Sequence, residues 1–162
     1  MKAIVAADSH WGIGKDGQLL THLPEDMKFF RTTTKGKVVI MGRKTLESFP
    51  GGNPLKNRIN IVLTRDSGFT RDGAVICHTA DEVLETVKSY DAADVYVIGG
   101  QSVYEQFLPY CDTAYVTHMD RDFGADTTFP DLDKAPDWIL SHQGADQEHE
   151  GLHFSFCTYK KA

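Results

Sequence analysis

Short apolar runs alternate with segments of helical periodicity along this chain, and this alternation constrains the fold more than any other feature. The runs lie at residues 3–7, 38–41, 59–63, 95–98 and 114–119. Continuous apolar runs of this length are typical of strands buried on both faces of a sheet. Strands that alternate with helices predict an α/β fold, with a mainly parallel, twisted central sheet and helices on both faces.

The helical segments and the end of the chain complete this prediction. Helices are predicted at residues 24–31, 46–49, 80–87 and 102–108. Pro24 suits a first helical position, and Thr79 with Glu82 forms a capping box. The late runs at 138–140 and 154–159 alternate as an antiparallel hairpin would. We therefore expect an antiparallel C-terminal strand at one end of the sheet.

Composition bounds the class of protein. A chain of 162 residues with 41% hydrophobic and 25% charged residues predicts one globular domain over residues 1–162. The net charge is −6 and no block of Lys and Arg occurs, so nucleic acid is not an expected partner. No run reaches transmembrane length, and the apolar run after Met1 is too short for a signal peptide. Three widely spaced cysteines fit reduced thiols in a cytoplasmic protein.

One carboxylate lies on an otherwise apolar helical stripe. Leu23, Met27 and Phe30 are spaced as one helix face, and Asp26 lies on the same face. A carboxylate facing a core loses its water and must gain a partner or remain protonated. From this helix alone, a buried hydrogen bond and a functional acid are both open interpretations.

Four strand ends carry groups that suit ligand binding. They are the loop after Ala7, the Gly42–Thr45 turn, Thr64–Arg65 and Gly99–Gly100. In open α/β sheets, ligands bind at the carboxyl ends of the strands, which meet at one edge. Cations, hydroxyls and paired glycines at three of these ends are suited to phosphate groups.

The loop after the first strand contains Gly12, Gly14 and Gly17, which spell G-x-G-x-x-G. The dinucleotide fingerprint requires a helix that opens on its last glycine. Here the chain continues to Pro24 before a helix can begin, so the Rossmann interpretation is rejected. A long, glycine-hinged loop beside a strand end instead predicts a mobile cover over a site.

In this order and spacing, the motifs resemble those of bacterial dihydrofolate reductases over essentially the whole chain. The matching pieces are Ile13–Gly17, Leu23–Asp26 with Phe30, Val39–Thr45, Pro54–Leu55 with Arg58, Val97–Gly100 with Val103 and Tyr104, Thr117–His118, and Asp126–Pro130. The resemblance implies hydride transfer from NADPH to C6 of 7,8-dihydrofolate and a proton to N5, which yields tetrahydrofolate. It also implies a cytoplasmic monomer that binds dihydrofolate and antifolates, and a cis peptide bond between Gly99 and Gly100.

The resemblance implies roles for individual residues on the substrate side. Asp26 would bond the pterin ring, and Thr117 would orient Asp26. Two proton routes stay open, relay by Asp26 or delivery by water. Arg58 would pair with the α-carboxylate of the substrate's glutamate tail. The implied substrate-binding residues are Val5, Ala6, Asp26, Met27, Phe30, Phe49, Leu55, Arg58, Ile98, Tyr104 and Thr117.

The resemblance also implies an NADPH site. Three cations, Arg43, Lys44 and Arg65, would favour the 2′-phosphate and hence NADPH over NADH. The residues from Ile13 to Leu19 would form the lid that excludes water. The implied cofactor-binding residues are Ala7, Ile13, Gly14, Gln18, Leu19, Gly42, Arg43, Lys44, Thr45, Leu63, Thr64, Arg65, His78, Gly99, Gly100, Gln101, Ser102, Val103 and Tyr104.

The chain departs from the family pattern just before the acidic helix. Thr21 stands where the family has Trp, and Leu20 where it has Pro. The loop therefore lacks a rigid proline and an aromatic wall, although a threonine could still hold water. Two other functions stay in view: a same-fold reductase of the riboflavin-pathway type acting on another pterin or pyrimidine, and a non-catalytic NADP-binding module. His149 and His153 are interpreted as part of a solvated polar loop, and no metal site is expected.

Overall fold

A computed structural model describes residues 1–162, and its centre is a nine-stranded sheet with a separate two-stranded sheet beside it. The strands are β1 (Lys2–Ala7), β2 (Gly12–Gly14), β3 (Val38–Gly42), β4 (Ile59–Leu63), β5 (Ala74–Cys77), β6 (Val95–Gly99), β7 (Thr113–Met119), β8 (Thr127–Thr128), β9 (Trp138–Gln143), β10 (Gln147–His149) and β11 (Leu152–Lys161). The helices are α1 (Pro24–Thr34), α2 (Arg43–Glu47), α3 (Ala80–Val87) and α4 (Gln101–Phe107).

The large sheet is parallel except at its C-terminal end. Its order is β10-β11-β7-β1-β6-β3-β4-β5, and β9 pairs with β11 outside this path. The pairs from β7 to β5 are parallel, whereas β11 runs antiparallel to β7, β9 and β10. The predicted fold class is confirmed. Because these strands are parallel, the carboxyl ends of β1, β3, β4 and β6 meet at one edge.

Successive side chains of the central strands alternate between two hydrophobic cores, as the strand period requires. Val38 and Ile40 of β3 belong to the larger core, which includes Val83 of α3 and residues of α4. Val39 and Met41 belong to the other core, with Leu46 of α2 and partly buried phenylalanines of α1. Helices therefore cover both faces, which explains why the central strands are apolar throughout.

Two local predictions were incomplete. The glycine-rich loop, for which no strand was predicted, contains β2, and β2 pairs with β8. Strands of two or three residues that include glycine leave no alternation in the sequence. Helix α2 begins at Arg43 rather than at Leu46, and no side chain caps its N-terminus at Gly42. Without a capping side chain, the sequence gives no signal for the start of this helix.

The capping box before α3 forms in a modified way. The hydroxyl of Thr79 accepts a hydrogen bond from the backbone N–H of Glu82, as predicted. The Glu82 carboxylate accepts from the backbone of His78 instead of Thr79. The three cysteines are buried and unpaired, consistent with the predicted reduced thiols.

None of the helices is both long and apolar enough to span a membrane.

Candidate active site

Asp26 lies in the first turn of α1, which begins at Pro24 as predicted. The hydroxyl of Thr117 on β7 donates a 2.6 Å hydrogen bond to Oδ1 of Asp26. Burial raises the pKa of Asp26 above its usual value, and the bond from Thr117 lowers it by less. No other side chain or backbone group of the chain donates to this carboxylate. Its second oxygen therefore remains free to accept a hydrogen bond from a ligand.

A largely apolar cleft opens around this carboxylate. Its lining residues are Ala6, Ile13, Leu19, Leu20, Thr21, Leu23, Asp26, Met27 and Met119. Asp26 and Thr21 are the only polar members. The predicted apolar stripe is only partly a core stripe, because Leu23 is 3% exposed whereas Met27 is 44% exposed. Met27 forms part of the wall of the cleft. Apolar residues at helical spacing on this helix therefore belong partly to the site and partly to the core.

The structure brings some of the predicted substrate residues together and leaves others apart. Ala6, Met27 and Asp26 line the cleft. Phe30, Phe49, Leu55 and Ile98 pack, partly buried, against the core on the α1 and α2 side. Val5 and Tyr104 lie in the opposite core. Their predicted contacts with substrate stay predictions.

Four lining residues were not among the predicted site residues: Leu20, Thr21, Leu23 and Met119. The first three join the predicted lid to the predicted helix, so their position in the chain was a usable signal. Met119 is two residues beyond Thr117 on β7 and therefore lies on the same face of the strand. That spacing could have identified it.

Arg58 is held against the end of α1. Its Nε donates to the Thr34 hydroxyl at 3.1 Å, and its Nη1 donates to the carbonyl of Lys56 at 3.0 Å. Burial, with the neighbouring positive charge of Arg31, lowers the pKa of Arg58. No carboxylate of the chain forms an ion pair with it. Arg58 is thus an oriented cation whose charge is not neutralised by the protein.

The predicted cofactor residues gather at the edge formed by the strand ends. Ala7, Gly42, Leu63 and Gly99 end β1, β3, β4 and β6; Thr64, Arg65 and Gly100 follow directly; Lys44 and Thr45 lie in α2, and Ser102 and Val103 in α4. The Nδ1 atom of His78 lies 2.9 Å from the carbonyl oxygen of Thr64, which places this ring beside the end of β4. Residues from five separate segments therefore meet at one edge.

The three predicted phosphate-binding cations have different environments. Arg43 lies 2.9 Å from Asp66 and 3.5 Å from Glu47, and its guanidinium lies over the Phe69 ring. Lys44 and Arg65 are exposed and form no ion pair. The sequence did not predict that two carboxylates would partly neutralise Arg43. The unpaired positive charge at this edge comes from Lys44 and Arg65.

The turn after β6 is closely packed. The peptide bond between Gly99 and Gly100 is cis, as the resemblance implied, and Gly99 has a φ of 127°. A Cβ atom at Gly99 would lie 3.4 Å from the Tyr104 ring. The Tyr104 hydroxyl donates a 2.6 Å hydrogen bond to the carbonyl of Ile4. The Gln101 side chain accepts from the backbone of Thr128, so it bridges this turn to β8.

The late histidines pair with acids, and the interpretation of both as part of a solvated loop was wrong, because His149 ends β10 and His153 lies in β11. The Nδ1 atom of His149 lies 3.3 Å from Glu25, and that of His153 lies 2.8 Å from Asp146. The structure contains no group of three or more His, Cys, Asp or Glu side chains arranged to hold a metal ion.

Comparison with known proteins gives consistent matches. The model of the family described as dihydrofolate reductase matches residues 1–161. The dihydrofolate reductase of Bacillus subtilis (strain 168) is 37% identical over 160 residues, covering 98% of this chain and 92% of that protein. The enzyme of the same name from Haemophilus influenzae is 41% identical over 129 residues, covering 80% of this chain and 78% of that protein.

A solved structure is similar over nearly the whole fold. It is a dihydrofolate reductase from Enterococcus faecalis complexed with NADP(H) and RAB-propyl, with a TM-score of 0.87 and 34% sequence identity. The superposition covers 99% of this chain and 95% of that one.

Proposed function

This chain belongs to the dihydrofolate reductase family, and from this premise we propose that it reduces 7,8-dihydrofolate to 5,6,7,8-tetrahydrofolate with NADPH. The observation that carries this function is the partly buried carboxylate of Asp26, oriented by Thr117, in a largely apolar cleft beside the strand ends. Such a cleft can hold a flat heterocycle and bond it at one defined point.

Asp26 and Thr117 serve as the pterin anchor. The carboxylate accepts hydrogen bonds from the 2-amino group and N3 of the ring. Because these bonds fix the ring in one orientation, C6 and N5 are held at a constant place in the cleft. Negative charge at Asp26 also favours the protonated ring, which is the form that accepts a hydride. Ala6, Met27 and the other apolar lining residues exclude water around the reacting atoms.

Arg58 binds the other end of the substrate. Its guanidinium is oriented by Thr34 and Lys56 and lacks a carboxylate partner in the chain. It is therefore suited to a fork-shaped contact with the α-carboxylate of the glutamate tail. Phe30, Phe49 and Leu55 form the apolar wall between this cation and the pterin. This combination distinguishes dihydrofolate from substrates that have no glutamate tail.

The strand-end edge fits NADPH. The donor set of Lys44, Thr45, Thr64, Arg65 and His78 has the chemistry of an anion site, and the exposed, unpaired cations there match a 2′-phosphate. When bound, NADPH supplies the hydride. Gly99, Gly100, Gln101 and Ser102 would face the pyrophosphate. Ala7, Ile13, Gly14 and Leu19 would contact the nicotinamide and its ribose.

Residues 1–162 act as one domain and as a monomer in the cytoplasm. Antifolates compete with dihydrofolate for the cleft around Asp26; the E. faecalis relative is similar over the whole fold and is complexed with RAB-propyl.

The test is the oxidation of NADPH with and without dihydrofolate, followed by the absorbance of the reduced nicotinamide. Dihydrofolate-dependent oxidation is expected for the wild type. Its absence would contradict the proposal. Oxidation supported equally by a pterin or pyrimidine without a glutamate tail would favour a same-fold reductase with another substrate.

A further inference from the structure

A fully buried carboxylate lies outside the cleft, directly after β1. Asp8 is 1% exposed and accepts three backbone hydrogen bonds. Its Oδ1 accepts from Gly12 at 2.7 Å and from His10 at 2.9 Å, and its Oδ2 accepts from Phe123 at 3.0 Å. These donors belong to two segments that are far apart in the chain. One carboxylate therefore joins the start of the glycine-rich loop to the connection between β7 and β8.

The chemistry of this contact requires a carboxylate. Burial by itself raises the pKa of Asp8, but the bonds from Phe123, Gly12 and His10 outweigh it, so the pKa lies below its usual value. Backbone N–H groups that lose a buried acceptor become unsatisfied donors. An asparagine has the same shape, but its amide nitrogen cannot accept the bonds that the second oxygen accepts.

The packing around Asp8 leaves little room for adjustment. A Cβ atom at Gly12 would lie 2.8 Å from Oδ2 of Asp8 and 2.4 Å from the Cβ atom of Ala125. Two residues later, Gly14 is paired with Thr127 of β8. The base of the glycine-rich loop is thus fixed on both of its sides. Ile13 lies between Gly12 and Gly14, and its side chain lines the cleft with Asp26.

Residues 19–22, which lead from the glycine-rich loop to α1, are held only weakly. Residues 19–22 form no backbone–backbone hydrogen bond, and Leu19 is 76% exposed. Leu19, Leu20 and Thr21 nevertheless line the cleft. Before them, Lys15 and Gln18 bond each other through their backbones, and the backbone N–H of Asp16 donates to the Asp126 carboxylate. A weakly held arm, residues 19–22, therefore continues from a firmly held base that ends at Gln18.

The structure assigns to Asp8 the part of a positioning residue for hydride transfer. By bonding residues 10 and 12 to residue 123, it fixes the base from which residues 19–22 cover the cleft. This inference rests on the proposed function, since it concerns the same cleft. Asp8 touches neither reacting group, and it acts through the position of Ile13 and the covering arm.

The test uses Asp8→Asn as the main variant, because it preserves the volume of the side chain. Asp8→Ala is the stronger perturbation. Asp91→Asn is the matched control: Asp91 also accepts a backbone hydrogen bond, from Ala93, but it precedes β6 at the opposite edge of the sheet. Hydride transfer is measured in single turnovers with NADPH and with its deuterated form, and KM for dihydrofolate is measured separately.

We expect Asp8→Asn to slow hydride transfer by about tenfold, which is the scale of one lost hydrogen bond to a charged group. The KM for dihydrofolate should change by less than about twofold, since Asp26 and Arg58 are untouched. Asp91→Asn should change neither quantity. A purely structural role would lower the thermal midpoint of Asp8→Asn while leaving hydride transfer at the wild-type rate, and that result would overturn the inference.

A second readout does not depend on turnover. Trp11 is buried between Phe129 and His118, and its backbone N–H donates to the carbonyl of Asp8. In a Trp138→Phe background, Trp11 is the only tryptophan, and its emission reports the loop base. We expect Asp8→Asn to shift this emission to longer wavelength. Unchanged emission together with unchanged hydride transfer would also overturn the inference. If Asp8→Asn shifts the emission but the wild type shows no dihydrofolate reduction, the result would count only against the proposed function.

Discussion

The hydroxyl of Thr117 lies 2.6 Å from a carboxylate oxygen of Asp26, although the two residues are 91 positions apart in the chain. The bond joins β7 to the first turn of α1. Because it stabilises the charged form, it lowers the pKa of a carboxylate whose pKa burial has raised. Thr117 therefore influences how readily Asp26 ionises as well as where it lies.

Replacement of Thr117 by valine tests this relationship. Valine keeps the shape but removes the donor, so the pKa of Asp26 should rise further. We expect the pH profile of hydride transfer to move to higher pH, and kcat/KM at neutral pH to change by about tenfold. Thr117→Ser retains the hydroxyl and should leave the profile near that of the wild type. A profile that does not move in Thr117→Val would contradict the assigned role.

Asp26→Asn tests the anchor directly. The amide cannot carry the negative charge that favours the protonated pterin. We expect hydride transfer at neutral pH to fall by about 10²- to 10³-fold, within the range for loss of a catalytic acid or base. NADPH binding, measured by fluorescence, should stay close to that of the wild type. Activity near the wild-type level at neutral pH would exclude Asp26 from the mechanism.

The same substitution should make the protein more stable. Because the pKa of Asp26 is raised on folding, the folded state binds more protons than the unfolded state between the two pKa values. The stability that Asp26 contributes when it is protonated is thus lost as pH rises from the usual pKa to the raised pKa. Asp26→Asn should be more stable at neutral pH by roughly 0.5–2 kcal/mol, as at other functional sites. In urea titrations, the difference should shrink as pH falls through that window, from the raised pKa towards 3.8, the usual value.

Arg65→Ala tests the proposed 2′-phosphate site. Arg65 forms no ion pair in the chain, whereas Arg43 is partly neutralised by Asp66 and Glu47. We expect the Kd for NADPH to rise by about tenfold and the Kd for NADH to change by less than about twofold. Lys88→Ala, which removes a cation paired with Glu85 on the surface, is the control. Equal weakening of both cofactors would place the 2′-phosphate elsewhere.

Arg58→Lys tests recognition of the glutamate tail. Lysine keeps the charge but loses the planar fork that Thr34 and Lys56 orient. The KM for dihydrofolate should rise by about tenfold. Reduction of a dihydropterin without a glutamate tail should be unaffected. Arg31→Lys is the control. Arg58 donates a hydrogen bond to Arg31 only at its backbone carbonyl, and the substitution preserves that carbonyl. A loss of both activities would show that Arg58 acts on the pterin end instead.

Much of the fold could be predicted from local patterns. The central strands are apolar on both faces because both faces are covered, and the capping residue Thr79 and the helix-starting Pro24 identified two helix ends. The strands β2 and β8 and the start of α2 could not be predicted in this way. Their stability comes from contacts between distant segments, which leave no local periodicity.

The sequence by itself determined the parallel sheet, the four strand ends that we predict to bind ligands, and the choice of Asp26 as a candidate functional acid. Each of these depends on residue order and local chemistry. The tertiary structure decided which side chains share an environment. It showed the Thr117–Asp26 bond that the resemblance implied, showed that Met27 lines the cleft while Leu23 is buried, and gave Arg43 two acidic partners that nothing in the sequence indicated. It also showed that Asp8 binds Phe123 across the fold. Hydrogen bonds and burial depend on distances through space, and only the packed chain fixes those distances.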